Sequence, residues 1–314
     1  MAVKTERLVT LFGGGGFVGR YVAQALLAAG ARVRIAQRDP RRAYFIRPLG
    51  GLGQVQFVRA DVTDPESVAA ACAGADAVVN LVGTLAGPFE AIHVDGARNV
   101  AGAAAGAGAS ALVQVSAVGA DAESAAAYAR TKALGEAVAR EAFPNATIVR
   151  PSLVFGPEDE FVNRFARLAR VAPVIPVVRA NWKMQPVHCT DLGRAIATAA
   201  LEPKAHGGKI YELGGPQVMS MLEFQQWIAR AIGRGGKPLV PVPDALAGLG
   251  ARLFGWLPLA PLSWQQWLML QKDNIPWGPG FDAFGIRPSP LAAVADEWLV
   301  IYRRRGRFAR PQAY

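Results

Sequence analysis

The sequence predicts an α/β fold: a doubly wound parallel sheet with a smaller, mostly helical C-terminal domain. Three observations carry this. Six strand-like runs alternate with helix-like runs over residues 7–151, the rhythm of crossover units whose parallel strands are covered on both faces. Four consecutive glycines, 13–16, stand at the join of the first strand and the first helix. After residue 151 the rhythm breaks, and from about 216 the chain is helical, punctuated by proline and holds six of the seven tryptophans.

The elements follow in order. "RLVTLF" (7–12) is a short buried strand, and "FVGRYVAQALLAAG" (17–30) has helical spacing and a glycine stop. "ARVRIAQR" (31–38) and "VQFVRAD" (55–61) are the second and third strands. "DPESVAAACAG" (64–74) is a helix opened by an Asp cap with proline in the first turn. "DAVVNLVG" (76–83) is the fourth strand, and the Ala- and Gly-rich helix 90–108 can pack close to a sheet. A fifth strand at 111–120, a long helix at 124–143 and a sixth strand at 146–151 complete the alternation. Two later segments, 184–196 and 209–215, read as sheet edges. The predicted division is therefore a nucleotide-binding domain over 1–215, with an insertion around 155–183, and a helical domain over 216–314 ending in a basic tail. Most of the late tryptophans are expected in that second core. The apolar run 253–270 is the alternative, a face for a partner or a membrane interface.

Composition narrows the function. The chain has 314 residues, 52% hydrophobic and 18% charged, ample for a core. Two distant cysteines make no disulfide framework, and three scattered histidines suggest no metal site. Net charge is +10, with four arginines clustered in "YRRRGRF" (302–308). Such a balance favours an anionic membrane surface or an acidic protein partner. No nucleic-acid-reading motif is present, so nucleic acid is not an expected partner. The five-residue apolar run before the glycines is too short for a signal-peptide core, and no stretch approaches about 18 apolar residues. A peripheral location is expected.

The glycines point to a phosphate cradle. Gly13, Gly16 and Gly19 are spaced G-x-x-G-x-x-G across a strand–turn–helix join. The first permits a sharp turn, the second a close pyrophosphate, and the third tight packing of helix on strand. The helix N-terminus, opening with Phe17 and Val18, adds free N–H groups under the phosphates. This is the Rossmann-type arrangement. Arg38, in "IAQRDPRR" (35–42), stands where NAD sites usually carry an acid. A guanidinium there, with Arg41 and Arg42 following, suits the 2′-phosphate of NADPH. Asp39 keeps NAD(H) open as the less favoured cofactor. Asp61 and Val62, ending strand three, are placed to frame adenine, and Leu81, Val82 and Gly83, ending strand four, to line the cofactor. Core packing is the competing role for these positions. Pro151 closes the candidate set at the end of strand six.

Tyr128 and Lys132, in "YARTK", lie four apart on one helix face. A lysine ammonium beside a phenol is expected to lower the tyrosine pKa from about 10 toward acid–base use. Ser116, closing strand five, can hydrogen-bond a substrate carbonyl. These three are the candidate catalytic residues. They can equally serve only to hold the nicotinamide ribose.

With these residues on view, the chain resembles the extended and atypical short-chain dehydrogenase/reductases through "GGGGFVG", "ADV", "NLVG", "YARTK", "RPSLVFGPED" and "QPVHCTDLGRAI". More narrowly, "VTLFGGGGFVGRYV", "VVNLVGTL" and the run from "YARTK" to "EDEFVNRFA", with "LMLQKDN" and "FGIRPSPL" near the end, resemble the NAD(P)H-binding alpha-subcomplex accessory subunits of respiratory complex I. That resemblance implies an NADPH held structurally rather than turned over. It also implies docking on peripheral-arm subunits near the quinone site of NADH:ubiquinone oxidoreductase. The location implied is the cytoplasmic side of a bacterial inner membrane, or the matrix side in a mitochondrion. One departure from active reductases agrees: Ala117, Val118 and Gly119 follow Ser116 where further Ser or Thr is common. Independent catalysis is therefore not expected. The alternatives are an NADPH-dependent reductase or epimerase acting on a quinone precursor or another lipophilic substrate, and a non-catalytic redox sensor.

Overall fold

The computed structural model describes residues 7–257, 262–304 and 306. They fall into two compact units. The first holds the chain to Pro151, then Cys189–Leu213 and Pro276–Arg287; the second holds Ser152–His188, Gly214–Ile275 and the chain from Pro288. The chain thus passes between units more than once, where the sequence predicts one passage near 215. Part of the basic cluster at 302–308, namely 305, 307 and 308, lies outside the described residues.

The first unit is built on a seven-stranded parallel sheet. Its strands are β1 (Leu8–Phe12), β2 (Arg32–Gln37), β3 (Val55–Arg59), β4 (Ala77–Asn80), β5 (Ala111–Val115), β6 (Thr147–Pro151) and an edge strand Ile210–Leu213. The spatial order is edge–β6–β5–β4–β1–β2–β3, with every neighbour parallel. Strands buried on both faces read as continuous apolar runs rather than alternations. "ALVQV" of β5 and "AVVN" of β4 are buried at every residue. Thr10, inside β1, is tolerated because its hydroxyl donates to the Ala71 carbonyl at 3.1 Å.

Helices α1 (Phe17–Ala28), α2 (Pro65–Cys72), α3 (Gly96–Gly106) and α4 (Ala127–Ala142) link the strands. α1 turns Val22, Ala23, Leu26 and Leu27 inward, a three-to-four spacing that makes one apolar stripe. α2 starts as the sequence predicts: Pro65 is in the first turn and Asp64 accepts from the Glu66 and Ser67 amides. α3 is shorter than expected because residues Ala91–Asp95 form a π-type turn ahead of it. The segment 184–196 is not a sheet edge. Only Met184 and Val187–His188 are strand, each in a two-residue pairing outside the seven-stranded sheet, and Cys189–Leu201 is a helix that buries Leu192, Ala195, Ile196, Ala199 and Ala200. That spacing is helical, and the small Gly193 lets it meet α1: a Cβ there would lie 2.7 Å from the Tyr21 backbone carbon.

The sheet order reverses on either side of β1, whose neighbours are β2 and β4. In an open parallel sheet a crevice forms beyond the carboxyl ends of the strands at such a point. The glycine turn and the segments that follow β2, β3, β4 and β5 lie along that end.

The second unit has its own core, including Phe155, Val162, Ile175, Met184, Phe224, Ile228 and Leu299. It is not only helical: Leu239–Val242 pairs in parallel with Ile175–Val178. Helix Met221–Ala231 opens on a capping box, with the Glu223 amide donating to Ser220 Oγ and the Ser220 amide to Glu223. Trp298 is buried and Trp227 packs on this core, but the expectation that most of the late tryptophans do so is not met: Trp264 and Trp277 are exposed. Trp256 is 78% exposed and continues an exposed row of Leu246, Leu249, Leu253 and Phe254 on helix Asp244–Phe254.

Candidate functional site

The glycine turn is fixed from every side. Gly13 has φ +77°, a left-handed conformation that a side chain disfavours. Its amide donates to the Ala36 carbonyl at 3.0 Å, and its carbonyl accepts from Gly16 at 2.9 Å. Two glycines outside the G-x-x-G-x-x-G pattern are equally constrained. A Cβ on Gly14 would lie 2.8 Å from Ile35, and one on Gly15 would collide with the Gln37 side chain. Gln37 is a site residue that the sequence reading missed. It accepts from the Gly15 amide at 3.1 Å and donates to the Asp39 carbonyl at 2.6 Å, tying the turn to the end of β2.

Gly16 differs from the others. It is exposed, it is the N-cap of α1, and no side chain caps the helix. A Cβ there would meet only the Gly13 carbonyl, at 3.1 Å, and would otherwise stand in the open mouth of the turn. No acidic residue occupies the first turn. Phe17 and Val18 follow, both partly exposed. Uncapped N–H groups and a bare backbone make a cradle suited to a pyrophosphate.

On one side of the turn lie the ends of β2 and β3. Arg38 is exposed immediately after β2. Asp39 is drawn into local structure: its Oδ1 accepts the Arg41 amide and pairs with the Arg41 guanidinium at 3.2 Å. The hydrogen bond from Arg41 holds its carboxyl below the usual range. Asp39 thereby caps a short 3-10 stretch, Pro40–Leu49. Asp61 accepts from the Thr63 amide at 3.0 Å and the Thr63 hydroxyl at 2.8 Å, bonds that keep it ionised. Val62 takes the competing role of core packing. Its side chain is buried in the core and sits where a Cβ on Gly96 would lie 2.9 Å away.

On the other side lies the end of β4. Leu81 donates from its amide to Phe12, and Val82 from its amide to the Asn80 side chain. Val82 closes on Gly13, its Cγ2 lying 3.3 Å from the Cβ position. Gly83 leads directly to Lys132, whose Nζ is 3.0 Å from a Cβ built there. The turn, the end of β4 and α4 thus form one continuous line. Ser116 and Pro151 sit in the same layer, Ser116 bonded by its amide to Val149 and Pro151 accepting from Val118.

The tyrosine–lysine pair is present, but its electrostatics are reversed from expectation. Lys132 is 6% exposed and donates to the Val115 carbonyl at 3.2 Å. Its Nζ stands 6.0 Å from the Tyr128 ring centre. Burial brings Lys132 down to about 8, with Glu136 opposing that shift. Burial pushes Tyr128 up to about 12. The ammonium is spent on a backbone carbonyl rather than on the phenol, so Tyr128 is a neutral phenol here. Ser116 Oγ is buried with no hydrogen-bond partner among the described residues. An orphaned hydroxyl of this kind invites a polar group from outside.

His93 is the second residue that sequence reading missed. It is 2% exposed on the π-type turn and stacks edge-on against Tyr128, with ring centres 5.6 Å apart. Nε2 accepts the Thr84 amide at 3.0 Å, so the neutral ring carries its proton on Nδ1, which faces Thr131 Oγ1 at 2.9 Å. The Thr131 hydroxyl in turn donates to the Ala127 carbonyl. Burial first, then the Lys132 charge, holds His93 down to about 4. The sign is definite. The unfolded ring, near 6.5, binds a proton that the folded ring refuses, so stability present above 6.5 drains away between 6.5 and about 4. The loss is bounded at about 3 kcal/mol. In urea unfolding at pH 7 and pH 4.5, His93→Gln is expected to show a shallower acid loss than the native chain.

Comparison with known proteins places this geometry. A model described as the NAD dependent epimerase/dehydratase family matches residues 9–214. The "NADH dehydrogenase (ubiquinone) 1 alpha subcomplex subunit 9, mitochondrial" of Dictyostelium discoideum is 34% identical over 76% of this chain and 68% of its own length. The protein of the same name from Rattus norvegicus is 33% identical over 94% of this chain and 80% of its own. Among solved structures, an NADPH-dependent quinone oxidoreductase of Escherichia coli complexed with NADPH superposes with TM-score 0.74 at 20% identity, over 93% of this chain and 99% of that one. At that identity it speaks to fold alone.

Proposed function

The chain belongs to the NAD-dependent epimerase/dehydratase family and to the alpha subcomplex subunit 9 proteins within it, and we propose that it is an NADPH-binding accessory subunit of an NADH:ubiquinone oxidoreductase. The observation that carries this reading is the match to subunit 9 proteins along nearly the whole chain, second unit included.

The residues fit a nicotinamide dinucleotide. The bare mouth at Gly16 and the uncapped start of α1 would take the pyrophosphate, with Gly13 and Gly19 shaping the turn. Arg38 would meet the adenosine ribose, favouring NADPH because Asp39 is engaged with Arg41. Asp61 would face adenine, while Leu81, Val82 and Gly83 would line the middle of the cofactor. Ser116, Tyr128, Lys132 and Pro151 would surround the nicotinamide end. Such a cofactor, when bound, supplies or accepts a hydride. The chain's own groups are poorly set to assist: Tyr128 holds its proton to about 12, and Lys132 is bonded to Val115. This supports a cofactor that orders the subunit rather than one that turns over. Binding to the folded state alone stabilises it in proportion to the logarithm of ligand concentration over Kd.

Docking on the oxidoreductase is proposed through the second unit, whose helix Asp244–Phe254 leaves Leu246, Leu249 and Leu253 exposed. Among the described residues no helix is long and apolar enough to cross a membrane. The location proposed is peripheral, against the membrane that holds the oxidoreductase. The retained Ser116, Tyr128 and Lys132, with the orphaned Ser116 hydroxyl, favour a second reading: a reductase of a quinone precursor or another lipophilic carbonyl compound.

Native electrophoresis of gently solubilised membranes tests the first reading. The chain is expected to comigrate with the large band of in-gel NADH dehydrogenase activity. Tyr128→Phe is expected to leave comigration unchanged, whereas Gly16→Asp, which puts a carboxylate against the phosphates, removes the nucleotide. A free low-mass species, or a Tyr128→Phe phenotype equal to deletion, would overturn the accessory reading in favour of catalysis.

A further inference from the structure

We propose that Arg59, acting beside Arg38, grips the adenosine 2′-phosphate, so that selection of NADPH is a two-guanidinium property of the β2–β3 edge. This rests on the nicotinamide dinucleotide reading above and names a residue that the G-x-x-G-x-x-G logic does not reach.

The register places the pair. β2 and β3 are parallel, with Gln37 opposite Arg59. Arg38 is the next residue after β2, and Arg59 is the last of β3. Two guanidinium stems therefore leave adjacent strand ends, roughly 5 Å apart. They do not diverge into solvent separately. Both line one cavity of about 290 Å³, together with Ala60, Asp61, Asp64 and Ser67. The cavity lies at the carboxyl ends of β2 and β3, and Gln37, the residue before Arg38, ties the end of β2 to the glycine turn.

Charge says what the cavity wants. Neither Arg38 nor Arg59 forms an ion pair among the described residues. The two acids that share the cavity engage their Oδ1 atoms with other donors, and the Arg38 charge acts on Asp61 only as the last of the influences on its carboxyl. Asp64 Oδ1 accepts the Glu66 and Ser67 amides as the cap of α2, and Asp61 Oδ1 is held by Thr63. Two like charges converging on one space repel each other until a dianion stands between them. A phosphate monoester on a ribose is such a group, and two arginines meet it with charge-assisted bonds. A ribose 2′-hydroxyl would give the same pair nothing to neutralise.

The test uses the full-length chain and two small probes, adenosine 2′,5′-bisphosphate and adenosine 5′-monophosphate, titrated by calorimetry. The native chain is expected to prefer the bisphosphate. Arg59→Ala is expected to weaken bisphosphate binding by about tenfold to a hundredfold and to leave monophosphate binding unchanged. Arg38→Ala should do the same, and the double variant should lose the preference. Arg59 is exposed on an edge strand, and a melting curve for each variant checks that the fold is intact. If Arg38→Ala removes the preference while Arg59→Ala leaves it, the NADPH reading stands and the role given to Arg59 is wrong. If Arg59→Ala weakens both probes equally, its effect is structural and the proposal fails. If the native chain shows no preference, the NADPH reading itself fails, and the proposal with it.

Discussion

Gly19→Ala is expected to destabilise the first unit by about 2–3 kcal/mol and to lower nicotinamide nucleotide affinity at least tenfold. The reason is a backbone collision that no rotamer relieves. A Cβ at Gly19 would overlap the Gly13 carbonyl oxygen and lie 2.6 Å from that of Gly14. Both oxygens belong to the turn itself, and Gly13 is anchored through Ala36 of β2 and through Gly16. Relief therefore requires α1 to lift or the turn to open, and either movement spoils the pyrophosphate cradle. Gly102→Ala is the control. It lies on an exposed face of α3 with nothing within 4 Å of its Cβ position, so alanine there should add about 0.5–1 kcal/mol. Urea unfolding and nucleotide titration of the two variants separate a general effect of alanine from a collision at the turn. Equal behaviour of the two would show that the packing of α1 on the turn is far looser than these distances require.

The turn was readable because its glycines serve the chain locally, within a few residues of one another. The parallel sheet was readable for a related reason: doubly buried strands stand out as short unbroken apolar runs, and the crossover helices between them carry a three-to-four period. What escaped depends on contacts distant in sequence. Gln37 reaches the turn across 22 positions, and Thr131 meets His93 across 38. His93 looked like one of three scattered histidines, because nothing near it in sequence shows that Tyr128, Thr84 and Lys132 enclose it. The pairing of Tyr128 with Lys132 was visible on the helix. The direction of their pKa shifts was not, since it comes from burial by elements distant in sequence, β5 among them, whose Val115 carbonyl accepts a hydrogen bond from Lys132. The helix Cys189–Leu201 was mistaken for a strand edge because "QPVH" before it is extended and its own small residues mute the apolar stripe. The division into units was misread because Ser152–His188 packs its aromatics, Phe155 and Phe161 among them, with Phe224 and Trp298 far along the chain.

Arg150→Met should be among the most damaging single changes away from the cradle, costing about 3–5 kcal/mol at pH 7. Arg150 lies on β6 between two acids from separate elements. It makes a two-bonded pair with Glu136 of α4, at 2.9 and 2.7 Å, and a bond to Glu212 of the edge strand at 3.1 Å. Glu212 stands directly opposite Arg150 in the parallel register and also accepts the Trp277 amide. The side chains are only 18%, 7% and 6% exposed. Methionine fills much of the same volume, so the cost comes from two carboxylates left desolvated without their cation. Protonation then becomes their escape. In the variant their folded-state pKa values rise above the unfolded ones, so the folded state binds more protons and gains stability as pH falls. The gap between native and variant should therefore narrow from pH 7 to pH 5. Glu136→Gln and Glu212→Gln added to Arg150→Met should restore most of the loss. Glu136 also sits one turn from Lys132 and raises its pKa, so its neutralisation carries the effect to Lys132. Urea midpoints at the two pH values decide the matter. A pH-independent loss would mean that Arg150 holds the strands by packing, and that water already reaches the two carboxylates.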